Sequence, residues 1–246
     1  KCCVDIVDYL KEKASQVVYT LTKRIAKEKA IKLMEEVGIP EARMRYKQYP
    51  FEFSGGMRQR IVIAIALSAN PDILICDEPT TALDVTIQAQ ILELINRLKR
   101  EHNLSIIFIT HDLGVVAQLC DEVIVMYAGK ICESGTADEI FYNPAHEYTK
   151  GLMRSIPSGT SIGKELIPIA GTPVDLLAMP RGCSFSPRCP ETMKICLEKY
   201  PEMYQLGDTH RCSCWKNISD DIKELISLFT SGKAKTAVSN ARDLRS

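Results

Sequence analysis

Asp72-Ile-Leu-Ile-Cys-Asp-Glu-Pro-Thr-Thr-Ala-Leu-Asp84 is the stretch on which the fold turns. Its Ile-Leu-Ile-Cys run is short, continuous and apolar, the pattern of a strand buried on both faces of a parallel sheet. Asp77 and Glu78 follow at the strand tip. A carboxylate there can hold Mg²⁺ through water, and the next carboxylate, turned to the other side, can polarise a water for in-line attack on a phosphate. A pair of solvated acids is the default for Asp-Glu alone. The apolar run before it and the Pro79-to-Asp84 turn after it weigh against that default. Asp84 is a good N-cap for a helix striped by Ile87, Ile91, Leu94, Ile95 and Leu98.

Downstream, Ser105 to Thr110 reads as a second strand ending at His111, which parallel strands would bring to the same sheet edge as Asp77 and Glu78. His102, His146 and His210 read as ordinary satisfied polar residues. Leu113 to Leu119 is helical, and Glu122 to Tyr127 is a third strand that turns through Gly129 into Lys130-Ile-Cys-Glu133. This alternation predicts a parallel α/β sheet with its chemistry at the C-terminal strand ends. Thr136-Ala-Asp-Glu139 is a capping box opening another helix.

Upstream, Ser54-Gly55-Gly56 opens a helix that is apolar nearly all round through Ile61 to Leu67, which predicts burial. Backbone N–H groups at such a start, with glycines allowing close approach, form a candidate anion site. Leu21, Ile25, Ala26, Ala30, Leu33, Met34 and Val37 follow a helical period that Gly38 and Pro40 stop. The organisation reads as a helical subdomain over 1–70, an α/β core over 71–157, a linker and Cys-rich lobe over 158–215, and a helix and polar tail over 216–246. The last helix carries Ile222, Leu225, Ile226 and Phe229.

The 246 residues carry 31 Lys+Arg against 31 Asp+Glu. That balance removes the basic excess by which nucleic acids and anionic membranes select a protein. No run approaches the roughly 18 apolar residues that span a bilayer, so a membrane role comes through a partner subunit. Five of the 10 cysteines, Cys183, Cys189, Cys196, Cys212 and Cys214, fall in the Pro- and Gly-containing lobe. Four thiolates suit an iron–sulfur cluster or tetrahedral Zn²⁺, and the absence of a Cys-x2-Cys knuckle leaves the choice open. Cys76, inside the apolar run, reads as a small buried hydrophobe.

In this order the motifs become specific. Ser54-Gly-Gly-Met-Arg-Gln-Arg60 resembles the signature motif of ABC ATPases, Asp72-to-Glu78 the Walker B strand, Thr81-Ala-Leu-Asp84 the D-loop and Ile109-Thr-His111 the switch histidine. Phe53-to-Arg60 and Thr80-to-Ile91 look like the ATPase subunits of dipeptide and oligopeptide importers, with nickel importers as relatives. The resemblance implies an ABC-type P-loop NTPase domain in which two subunits sandwich ATP head to tail. Ser54, Gly55 and Gly56 then contact the γ-phosphate held by the partner, Asp77 assists Mg²⁺, Glu78 activates water, His111 holds the γ-phosphate and Asp84 couples the sites. It further implies two transmembrane permease subunits, an extracytoplasmic substrate-binding protein, no nucleic acid, and a peripheral place on the cytoplasmic face of the plasma membrane.

One departure is large: no Gly-x-x-x-x-Gly-Lys-Ser/Thr loop occurs in the chain. The resemblance places that loop upstream, so the expectation is truncation, with this chain alone inactive towards ATP. Two alternatives remain. One is a non-catalytic partner lending its signature motif, with the lobe as a redox or interaction module. The other is a soluble ABC ATPase of DNA repair or cluster assembly. Gly182-Cys-Ser-Phe-Ser-Pro-Arg-Cys-Pro190 resembles the importer ATPases' C-terminal extension, where four cysteines hold a [4Fe–4S] cluster in some members. Cys183, Cys189 and Cys196 match, and the fourth is Cys212 or Cys214, with Cys212 preferred on the family's final cysteine.

Overall fold

The structure is a computed structural model that describes residues 22–155 and 168–217. The expected helix around Ile222 to Phe229, the polar tail and the first part of the linker, through residue 167, lie outside the described residues. The chain divides into two compact units, residues 1–111 and 112–246.

In the first unit, α1 (Lys23–Glu36) starts where Thr22 accepts a bond from the Ile25 N–H at 3.3 Å, and buries Ile31 and Met34. Gly38, at φ 78°, ends it in the left-handed region that a glycine tolerates. After the short α2 (Ala42–Arg45) and a 3₁₀ turn at Pro50–Glu52 comes α3 (Gly55–Leu67), capped by Ser54. Here the expectation of full burial is not met. Ile63, Ala64 and Leu67 are buried, but Val62 and Ile65 are 57% and 66% exposed. Those two side chains help to line an open cavity of about 900 Å³ with Leu33 and Phe53.

Strand β1 (Ile73–Asp77) pairs in parallel with β2 (Ser105–Ile109), Asp77 opposite Ile109. Between them α4 (Val85–Glu101) buries the apolar stripe read in the sequence, with Ile91, Ile95 and Leu98 almost wholly excluded from solvent. Each such side chain contributes about 1.5–3 kcal/mol on burial. Guanidinium groups fasten the helices: Arg60 donates to the Val37 carbonyl and Arg97 to that of Glu36, each at 2.8 Å. Leu74 and Cys76 face this core, whereas Ile73, Ile75, Ile107 and Ile109 are about half exposed or more. Burial on both faces is therefore not seen, because this unit covers one face of its two strands.

The second unit opens with α5 (Leu113–Leu119), capped by Asp112. Strands β3 (Glu122–Tyr127) and β4 (Lys130–Thr136) form an antiparallel hairpin. Ala128 and Gly129 between them have φ 49° and 76°, the paired positive values of a tight two-residue turn. With β5 (Tyr204–Gln205) and β6 (Arg211–Cys212) they make a four-stranded sheet of order β3-β4-β6-β5. The turn through Gly129 read in the sequence thus pairs β3 with β4. The capping box at Thr136 opens α6 (Ala137–Tyr142), and α7 (Glu147–Arg154) follows. Tyr127, Tyr148 and Phe185 pack ring on ring at 4.8–5.4 Å between centroids, joining the sheet to the lobe.

Candidate functional site

In the first unit the parallel register of β1 and β2 brings their C-terminal ends together. The Glu78 N–H donates to the Ile109 carbonyl at 2.9 Å, extending the ladder one residue past β1. His111 Nδ1 lies 3.0 Å from Glu78 Oε1, and the Thr81 hydroxyl donates to Glu78 Oε2 at 2.7 Å. Both carboxylate oxygens are thereby oriented. Those bonds, Thr81 first and His111 second, hold the Glu78 carboxyl below the usual carboxylate range and keep it ionised. Glu78 also sits at φ 43°, a conformation costing a non-glycine residue about 1–3 kcal/mol. Asp77, exposed at the last position of β1, can serve a cation that takes one or two carboxylates plus phosphate and water oxygens.

Ser54 Oγ accepts from the Met57 N–H at 3.3 Å, leaving the earliest N–H groups of α3 exposed with Gly55. A Cβ on Gly56 would stand 2.7 Å from Ile87 Cγ2, and one on Gly55 3.7 Å from Leu83. The glycine pair therefore lets the start of α3 rest on the start of α4. Asp84 Oδ1 caps α4 by accepting from the Ile87 N–H at 3.0 Å. Gly55 and Gly56 thus pack on Leu83 and Ile87, while Glu78, Thr81 and His111 form the hydrogen-bonded cluster.

In the second unit, Cys183, Cys189, Cys196 and Cys214 line one small cavity with Ser186 and Glu147. Cys212 is not among its lining residues. It is wholly buried on β6, opposite Glu133 of β4. The Cys183 N–H donates to the Cys196 carbonyl at 2.7 Å, and Gly182 passes so close that a Cβ would lie 2.1 Å from that oxygen. All of these cysteines are free thiols, and burial pushes Cys183 up to about 11. Among the described residues no three His, Cys, Asp or Glu side chains gather closely enough to share a single ion.

Comparison with known proteins follows the same division. Residues 6–81 match the ABC transporter family, and residues 132–196 match the C-terminal region of oligopeptide/dipeptide transporters. The dipeptide transport ATP-binding protein DppD of Bacillus subtilis is 56% identical over 195 residues, 79% of this chain and 58% of that protein. The oligopeptide transport ATP-binding protein OppD of the same organism is 57% identical over 196 residues, 79% of this chain and 55% of the relative. OppD of Salmonella typhimurium is 53% identical over 193 residues, 78% and 58% of the two chains. Residues 6–81 thus carry ABC transporter sequence, and residues 132–196 carry that of a peptide transporter's C-terminal region. The chain spans somewhat over half the length of these curated relatives. Its fold is that of an ABC-type nucleotide-binding domain, present here without a phosphate-binding loop.

Two groups escaped the sequence reading. Thr81 stood in the D-loop motif without a role of its own, although its spacing of three from Glu78 is that of a turn in which a hydroxyl can reach back. Glu133 is fully buried and accepts from the Ala145 N–H at 2.6 Å, the His146 N–H at 2.9 Å and His210 Nε2 at 2.7 Å. His210 is satisfied, as expected of it, but by a carboxylate 77 residues away that the sequence gives no means of pairing. His146 caps α7 through Nδ1, accepting from Tyr148 N at 3.1 Å, and burial lowers its pKa so that the neutral acceptor form persists.

Proposed function

We propose that the full-length subunit hydrolyses ATP to drive import of dipeptides or oligopeptides through a membrane ABC transporter. The observation that carries this is the 3.0 Å approach of His111 to Glu78 at adjacent strand tips. An ionised carboxylate held by two donors can orient and deprotonate water, and a histidine beside it can donate to a terminal phosphate. Asp77 would hold Mg²⁺, which supplies charge neutralisation for the phosphates when bound. Ser54, Gly55 and Gly56 present helix N–H groups to ATP seated on a second ATPase subunit, and Asp84 links the two sites. A chain that only lent its helix start would have no use for the Glu78–Thr81–His111 cluster.

Among the described residues no helix is long and apolar enough to cross a membrane. That supports a peripheral subunit at the cytoplasmic face, powering two permease subunits fed by a substrate-binding protein. The relatives' printed names support peptide as cargo. The test is ATP turnover by the full-length subunit: rates unchanged by Glu78→Gln would sink the proposal.

The cysteine lobe adds a second part. Cys183, Cys189, Cys196 and Cys214 would hold a [4Fe–4S] cluster, with Zn²⁺ the alternative, and Cys214 takes the place first given to Cys212. The four cysteines line one cavity, and thiolate is the ligand type that both iron–sulfur clusters and zinc take. Iron, sulfide and zinc content after anaerobic purification tests this. Loss of metal from Cys212→Ser, with retention by Cys214→Ser, would reverse the assignment.

A further inference from the structure

We propose that the Ser186 hydroxyl is a hydrogen-bond donor to the sulfur atoms of the metal centre in the cysteine lobe, and sets how tightly that centre is held. The inference rests on the thiolate-centre reading above. Ser186 lies midway between Cys183 and Cys189, opening the 3₁₀ turn Ser186–Arg188. Its backbone is fully engaged. The N–H donates to the Cys183 carbonyl at 3.0 Å, and the carbonyl accepts from the Thr192 hydroxyl at 2.6 Å and the Cys189 N–H at 3.4 Å. The residue is therefore locked to the loops that carry two of the thiols.

Its side chain is different. Ser186 is 5% exposed, and its Oγ has no hydrogen-bond partner. Native proteins rarely leave a buried hydroxyl without one, since each such group forfeits a bond it would have made to water. Ser184 Oγ and Thr149 Oγ1 are also buried without partners, but neither residue lines the cavity. Ser186 is the one orphaned hydroxyl, among the described residues, that lines the cavity shared by Cys183, Cys189, Cys196 and Cys214. A hydroxyl donates one proton; of the acceptors lining the cavity, Glu147 is paired with Lys150 and Lys216 and Glu191 with Lys216, which leaves a thiolate or sulfide sulfur bearing negative charge to receive it. Such a bond disperses charge on the sulfur and stiffens its placement, the effect by which outer groups tune a metal centre.

The experiment uses the full chain, loaded anaerobically with ferrous iron and sulfide or, separately, with Zn²⁺. Wild type, Ser186→Ala, Ser186→Thr and Ser184→Ala are compared for metal retention against a chelator and for the sulfur-to-metal absorption band. Ser186→Ala should release metal at about tenfold lower chelator concentration, at the low end of what outer-shell losses cost, and should shift the band. Ser186→Thr should restore both, and Ser184→Ala should match wild type. Equal unfolding midpoints for the two alanine variants exclude a folding defect. Retention and spectrum unchanged in Ser186→Ala overturn the inference while leaving the metal centre standing. A wild type that takes up neither iron nor zinc overturns the centre and the inference together.

Discussion

His111 Nδ1 and Glu78 Oε1 stand 3.0 Å apart although 33 residues separate them, and the parallel register of two five-residue strands is what brings them together. Thr81 completes the arrangement from the turn that follows.

In the full-length subunit, Glu78→Gln should reduce ATP turnover about 10²–10⁴-fold, the range for removing a general base. Thr81→Val removes the strongest of the influences that depress the Glu78 carboxyl. The sign follows: without that bond the pKa rises towards the ordinary carboxylate value, so the acid limb of the rate profile moves to higher pH. Turnover measured across pH for wild type and Thr81→Val checks this. A limb that stays in place would show that Thr81 does not act through Glu78.

Gly56→Ala should destabilise the first unit by about 1–3 kcal/mol, the usual cost of forcing extra volume into a packed site. The added methyl would meet Ile87 Cγ2 at 2.7 Å. Shortening that neighbour, as Ile87→Ala in the Gly56→Ala background, should recover part of the loss. Denaturant unfolding of the four chains of the cycle reads the coupling. Additive effects would mean that the two residues do not meet.

Much of this geometry was legible in the chain. The apolar run before Asp77 announced a strand, and the spacing from Asp84 to Leu98 announced a capped amphipathic helix. Burial was harder to read. Ile73 and Ile75 are as apolar as Leu74 and Cys76, and composition says nothing of whether a second layer covers them. The hairpin of β3 and β4 was legible for a local reason: Tyr127-Ala-Gly-Lys130 carries a two-residue turn signal. Cys212 and Cys214 lie two residues apart in one short segment, and only their surroundings separate a thiol on the cavity from one buried beside Glu133.

Glu133→Ala should cost the second unit about 3 kcal/mol or more, since each buried donor left unsatisfied costs roughly 1–3 kcal/mol. Its carboxylate is the common acceptor for Ala145, His146 and His210, so the truncation strands three donors in a buried place. Glu133→Gln keeps one acceptor oxygen and should cost less. Thermal unfolding orders the variants as wild type, Gln, Ala. Equal midpoints for Gln and Ala would show that the backbone donors find other acceptors.

Glu139 links the start of α6 to the loop before β6 through one oxygen. Oε2 accepts from the Thr209 hydroxyl at 2.7 Å, the Thr136 N–H at 2.8 Å and the Thr136 hydroxyl at 3.1 Å. These bonds, Thr209 first, hold its carboxyl below the usual range. A group with a depressed folded pKa contributes its stability above the unfolded value and loses it as pH falls through the folded one. The second unit should therefore lose stability on acidification, and Glu139→Gln, which cannot titrate, should flatten part of that slope. Unfolding free energies of wild type and Glu139→Gln, compared from about pH 7 down to about pH 3, measure the difference. Parallel curves would show that Glu139 titrates alike in the folded and unfolded chain, and that its three bonds do not favour the charged form.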